Sequence, residues 1–167
     1  EAGSDVVVGL GVKGVGLEGR GGRLVIAIGG CRAERSVAAR VLLHLPDVIT
    51  DQTAAAVLLK GCTTEFLVER CARVQAGQTV LVHAAAGGTG HLLVGWLKAI
   101  GATVIGTVGS TEKAVQAKAA GADHVLLHKS EDVAQRVREL TDGAGVPIIF
   151  DGVGMATWEV SLASAAR

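Results

Sequence analysis

From Thr79 onward, short apolar runs alternate with longer stretches in which apolar residues return every three or four positions. The runs at 79–82, 103–108, 124–127 and 147–150 predict β-strands. Leu92, Leu93, Trp96, Leu97 and Ile100 between the first two runs share one helical face. A short helix is expected over 111–120. Another carries Val133, Val137 and Leu140, is capped by Ser130 and ends near Gly143; a last one covers 156–166. Gly101 and Gly121 stand where helices stop, and Pro147 is tolerated at the first residue of a strand. Strand and helix thus alternate four times, with short connections and strands apolar on both faces. That pattern predicts an α/β fold, a doubly wound parallel sheet built from right-handed crossovers.

The first part of the chain reads differently. Residues 1–30 are glycine-rich, with short strands expected at 5–8 and 23–28 and a turn at 19–22. An apolar run over 37–45 is closed by Pro46. So few short strands need a partner surface, so this part either packs on the second half or is partly disordered. Thr50-Asp51 starts a helix. Lys60-Gly61 is expected to interrupt it, with Thr63 or Thr64 capping a second helix through Arg70. Ala76-Gly77-Gln78 reads as a turn.

The stretch of most interest is 79–90: a strand, then Ala84-Ala85-Ala86-Gly87-Gly88-Thr89-Gly90, then a helix. Small residues let backbone approach a phosphate, and a helix N-terminus offers unpaired N–H groups and a positive dipole end. The small residues fall as A-x-x-G-x-G at Ala85, Gly88 and Gly90, not as G-x-G-x-x-G. In a chain with 24 glycines an ordinary turn between strand and helix is the alternative; the flanking βαβ context favours a dinucleotide pyrophosphate site. Parallel sheets take ligands beyond the carboxyl ends of their strands. The glycine turn, residues 107–110, His128 and Asp151-Gly152-Val153-Gly154 all fall at those ends. The second strand runs out in Gly106-Thr107-Val108-Gly109-Ser110, without the carboxylate that usually holds an NAD ribose. Lys113 follows closely enough to pair with a 2′-phosphate, so NADPH is expected rather than NADH; Glu112, able to turn toward a ribose, is the counter-argument.

Charge and composition narrow the classes. Lys+Arg and Asp+Glu both number 16, so no basic face points to nucleic acid or an anionic membrane. No run approaches the roughly 20 apolar residues of a membrane span, and no signal-peptide pattern opens the chain. Aromatic residues are only 2% and Tyr is absent, which leaves Val, Leu, Ile and Ala to build the core. Cys31, Cys62 and Cys71 form no C-x-x-C pair, so a reducing, cytoplasmic setting is expected and a disulfide framework is not. His44, His83, His91, His124 and His128 have no ligand spacing with those cysteines, and no metal is expected. His83 reads as a satisfied core histidine. Cys62 and Cys71, nine apart on a helical pattern, read as core packing. There is no G-x-S-x-G for a serine hydrolase.

Several segments together resemble the zinc-free quinone oxidoreductases of the medium-chain dehydrogenase/reductase superfamily, the zeta-crystallin-like group. They are residues 54–63, His83 to Gly90, Gly101 to Ser110, Lys113-Ala114 and Phe150 to Gly154. The resemblance is dense from about Leu45 to Leu162. It implies that 1–45 is the remnant of a GroES-like catalytic domain. Residues 46–167 would be a Rossmann-like NADP-binding domain, incomplete at its C-terminus. It places Gly88, Thr89, Gly90 and His91 beside the pyrophosphate, Gly109 and Lys113 beside the adenosine 2′-phosphate, and Thr63 near the nicotinamide. His128 stands where such enzymes often have a Tyr beside the adenosine. Thr89 replaces a usual Val, and His91 an apolar residue. The activity implied is metal-free transfer of reducing equivalents from NADPH to a quinone or related small acceptor. Enoyl reduction is the near relative, and no catalytic side chain is required. The family implies a homodimer. The rival expectation is a non-catalytic module that holds NADPH or only a partner subunit.

Overall fold

The computed structural model describes residues 43–167 together with four short strands, β1 (Asp5–Val8), β2 (Glu18–Gly19), β3 (Gly22–Val25) and β4 (Glu34–Val37). Arg20 and Gly21 of the expected turn, residues 26–28 of the expected strand, residues 38–42 and Cys31 lie outside the described residues. The chain divides into two compact units, Glu1–Cys62 and Thr63–Arg167.

In the first unit β1 pairs antiparallel with β4. β3 pairs antiparallel with β2 and with β5 (Leu43–His44). Helix α1 (Asp51–Glu65) starts in this unit. Thr50 caps it, its Oγ1 accepting the N–H of Thr53 at 3.1 Å. Leu45 and Ala54 are buried, with Ile49, Ala55 and Leu58 packed around them.

The expected break at Lys60-Gly61 does not occur: α1 runs through it to Glu65. A Cβ at Gly61 would meet nothing, so the glycine is not there to relieve a clash. An interior glycine costs only about 1 kcal/mol, which a 15-residue helix absorbs. Thr63 and Thr64 therefore lie inside α1 rather than at the start of a second helix, and Thr64 is fully buried. A π-helical segment, Phe66–Ala72, continues directly. It ends where Arg73 turns left-handed (φ 48°) and a backbone bond returns to the Val68 carbonyl.

The second unit holds a four-stranded parallel sheet in the order β8-β7-β6-β9. Its strands are β6 (Thr79–Val82), β7 (Thr103–Val108), β8 (His124–Leu127) and β9 (Ile148–Phe150). Val82 pairs with Gly106 on one side and with Phe150 on the other. The helices are α2 (Gly88–Ile100), α3 (Thr111–Ala119), α4 (Val133–Leu140) and α5 (Trp158–Ser164). Because strand side chains alternate between faces, Val80, Val82 and Val104 pack with Leu93, Val94 and Leu97 of α2 and Ala117 of α3. Leu81, Ile105 and Leu126 pack with Val133 and Val137 of α4 and Val160 of α5. Two helices thus cover each face of the parallel sheet, as the doubly wound reading requires.

Three details differ from expectation. Asp132, not Ser130, caps α4, its Oδ1 accepting the N–H of Gln135 at 3.0 Å. Ser130 instead gives its N–H to the Leu127 carbonyl, closing the turn after β8. The last helix is shorter than 156–166: Thr157 is its N-cap residue, and Ala165 after it is extended and bridges to Val146. Cys62 and Cys71 are exposed rather than in the core; the helical surface they occupy is not the one that packs, which Thr64 and Val68 define.

Candidate functional site

β6 ends at Val82, and the next residues stay tied to the sheet. The His83 N–H bonds the Phe150 carbonyl and the Ala85 N–H the Thr107 carbonyl, both at 3.0 Å. Ala84 between them is left-handed (φ 51°), which swings its carbonyl under the start of α2. The Gly87 N–H bonds that carbonyl at 2.8 Å. A Cβ at Gly90 would sit 2.3 Å from it and 3.0 Å from Ala85 Cα, so only glycine fits. At Gly106 a Cβ would stand 2.7 Å from Ala85 Cβ, which is how the turn lies so close on β7.

Gly87 begins α2 with no side-chain cap, and the first turn has no acidic residue. The N–H groups of Gly88, Thr89 and Gly90 come before the first intrahelical bond, from His91 to the Gly87 carbonyl at 2.7 Å. The helix therefore presents an uncompensated positive end beyond the carboxyl edge of the sheet.

Two clefts flank this turn, and both touch Ala84 and Gly87. One, of about 490 Å³, is lined by Thr63, Leu67, His83, Thr89, Gly90 and Asp151 among others. The second, of about 410 Å³, is lined by Gly109, Ser110, Lys113, His128, Lys129 and Val153 among others. Of the predicted positions, Thr63, Thr89 and Gly90 thus border the first cleft and Gly109, Lys113 and His128 the second. Gly88 and His91 line neither. His91 is exposed, and its N–H is already taken by Gly87.

The second cleft is basic. A Cβ at Gly109 would meet His128 Nε2 at 3.2 Å. Ser110 caps α3, its hydroxyl accepting the Lys113 N–H at 3.4 Å. The Glu112 carboxyl is held below its usual range by the Ser110 hydroxyl, its own backbone N–H and the Thr111 hydroxyl. It is engaged at the helix start and does not line the cleft. Lys113, Lys129 and His128 are left as the ionisable groups on that wall.

Beneath the turn lies a polar chain that sequence reasoning did not assemble. His83 and Thr107 are buried, 5% and 1% exposed, and His83 Nδ1 is 3.0 Å from Thr107 Oγ1. His83 Nε2 is 3.1 Å from Ser161 Oγ, and that hydroxyl donates to Asp151 Oδ2 at 2.7 Å. Asp151 Oδ1 accepts the N–H groups of Val153 and Gly154 and the Thr157 hydroxyl, at 2.9, 3.0 and 2.7 Å. Burial pushes the Asp151 pKa up, but the bonds from Gly154, Ser161, Thr157 and Val153 outweigh it and hold it far below the usual carboxylate range. The His83 pKa is lowered, chiefly by burial; Asp151 opposes that and His128 adds to it. The reading of His83 as a satisfied buried histidine agrees with these bonds, although it sits one residue past the strand. The partners were out of reach of sequence reasoning, since Ser161 is 78 positions away.

Among the described residues no group of three or more His, Cys, Asp or Glu side chains could hold a metal ion. None of the described helices is long and apolar enough to cross a membrane.

Residues 88–167 match the family described as "Zinc-binding dehydrogenase". Over 121 residues, 72% of this chain and 37% of the relative, the chain is 50% identical to a quinone oxidoreductase of Pseudomonas aeruginosa. Over 137 residues, 81% of this chain and 41% of the relative, it is 40% identical to a 2-haloacrylate reductase of a Burkholderia species. The crystal structure of Escherichia coli quinone oxidoreductase complexed with NADPH superposes with a TM-score of 0.84 at 38% identity, over 88% of this chain and 46% of that one. The chain thus spans less than half the length of these relatives. Taken with the doubly wound sheet and the glycine turn at its carboxyl edge, the likeness shows that the chain belongs to the medium-chain dehydrogenase/reductase superfamily, quinone oxidoreductases being among the proteins it resembles.

Proposed function

We propose that this chain carries the NADPH-binding part of an oxidoreductase that reduces a quinone or a related small acceptor without a metal. The observation that carries the reading is the cradle at 84–90. The left-handed Ala84 carbonyl leaves no space for a Cβ at Gly90, so the backbone comes close beneath an uncapped helix N-terminus. Such a cradle suits a pyrophosphate. The clefts on either side would then take the two halves of the dinucleotide, Thr63 and Thr89 bordering the nicotinamide side and Gly109, Lys113 and His128 the adenosine side. Lys113 and Lys129 suit a 2′-phosphate, and no carboxylate stands on that wall to hold a free ribose hydroxyl. A relative of known structure is solved with NADPH.

When bound, NADPH supplies the reducing equivalents. The chain's own groups bind, orient and shield it. His83 and Asp151 border the first cleft, but each is already satisfied inside the polar chain, so neither is assigned as an acid or base. The domain reading extends naturally: residues 1–45 as the tail of a GroES-like domain and 46–167 as the NADP-binding domain. Two exposed free cysteines suit a reducing compartment such as the cytoplasm, and a homodimer follows from the family reading.

Fluorescence titration of the 167-residue chain with NADPH and NADH, followed by addition of a quinone, tests this. Saturable binding that prefers NADPH supports the site, and quinone-dependent oxidation supports an enzyme. Binding without oxidation would favour a module that holds the cofactor without turnover. Absence of binding would refute the cofactor assignment.

A further inference from the structure

With the buried His83 ring neutral, the polar chain under the turn has one proton arrangement that satisfies every atom. Ser161 has a single hydroxyl proton, and Asp151 Oδ2 takes it. Ser161 Oγ can then only accept from His83, which requires the proton on Nε2. In a neutral imidazole Nδ1 is then an acceptor, and the Thr107 hydroxyl donates to it. The bonds run in one direction, from Thr107 on β7 through His83 and Ser161 to the Asp151 carboxylate.

The far end of this chain is not buried. Asp151 Oδ1 pins the backbone of Val153 and Gly154 and the hydroxyl of Thr157. Residues 152–156 are exposed, and Gly154 is left-handed at φ 90°. This loop reaches both clefts: Gly152 lines the first, Val153 and Thr157 the second. We propose that His83 is a positioning residue, whose Nε2–H, acting through Ser161 and Asp151, sets the 152–157 loop across the mouths of both clefts. It thereby governs affinity for a ligand that occupies the two together. The inference rests on the dinucleotide reading above for the identity of that ligand.

The test uses the whole chain and four variants, His83→Phe, His83→Gln, Ser161→Ala and Ser161→Thr. Gln places an amide N–H near the imidazole Nε2 position, and Thr keeps the hydroxyl. Two readouts need no ligand. Nitrogen-15 shifts of the His83 ring should report the neutral, Nε2-protonated tautomer. Amide hydrogen exchange at Val153 and Gly154 should be slow in the wild type, faster by about tenfold in His83→Phe and Ser161→Ala, and restored in His83→Gln and Ser161→Thr. The third readout is binding. NADPH affinity should fall about tenfold in His83→Phe and Ser161→Ala, and adenosine 2′,5′-bisphosphate, which the dinucleotide reading assigns to the second cleft alone, should lose less.

An Nδ1-protonated ring, or loop exchange unchanged by breaking the chain, would overturn the positioning role. So would NADPH affinity indifferent to all four variants. A wild type that binds no NADPH would refute the dinucleotide reading, while tautomer and loop exchange would still decide whether His83 holds the loop. If His83→Phe does not fold, Ser161→Ala against Ser161→Thr makes the same comparison.

Discussion

Gly90 has room for a hydrogen and nothing larger. Since its Cβ would fall 2.3 Å from a backbone oxygen, Gly90→Ala must move the turn or the helix. It should destabilise the chain by about 1–3 kcal/mol, read by thermal melting, and weaken NADPH more than a surface substitution of equal stability cost. Lys113 is an exposed side chain whose backbone N–H is used in the α3 cap, so its ammonium can be removed without touching the fold. Lys113→Ala should cut NADPH affinity about tenfold and leave NADH within a factor of two, measured by fluorescence titration. Both residues were legible in the sequence, because a glycine at a fixed offset from a strand end and a lysine just past the next strand are local signals. The His83–Ser161 contact was not legible: it joins positions 78 apart, and a lone serine on a short helix has no pattern of its own.

At the scale of elements, the strands came through because their apolar runs face helices on both sides and leave a continuous signal. Boundaries fared worse where two polar candidates compete. Ser130 and Asp132 are both capping types, and the turn after β8 decides between them by using the Ser130 N–H. Asp132→Ala should therefore cost about 1 kcal/mol and Ser130→Ala less than about 0.5 kcal/mol, compared by denaturant melts. Lys60-Gly61 misled for another reason: glycine weakens a helix without ending it, and nothing tertiary requires a stop there. The junction of β9 with α5 makes a pH prediction. Asp151 has its folded pKa depressed, so its contribution is complete above the unfolded value of about 3.9 and fades as pH falls through the lower folded one. The stability advantage of the wild type over Asp151→Asn should be constant from neutrality to about pH 5 and shrink below about pH 4. An advantage that grew on acidification would contradict the assignment.

Across the whole molecule, the second unit is a parallel sheet covered on both faces, and its polar turns gather at one edge. That gathering brings residues scattered from Thr63 to Thr157 around two clefts. It was foreseeable from the alternation of elements alone, since every strand points the same way. The first unit was harder to read, because its short strands carry little periodicity and pair antiparallel across long sequence gaps. The central claim is that the turn at 84–90 holds the phosphates of a dinucleotide lying across both clefts. A crystal structure of the chain grown with NADPH tests it most directly. The account predicts the pyrophosphate at the N–H groups of Gly88, Thr89 and Gly90, and the 2′-phosphate within reach of Lys113. A nucleotide seated elsewhere, or one whose phosphates avoid the start of α2, would contradict it.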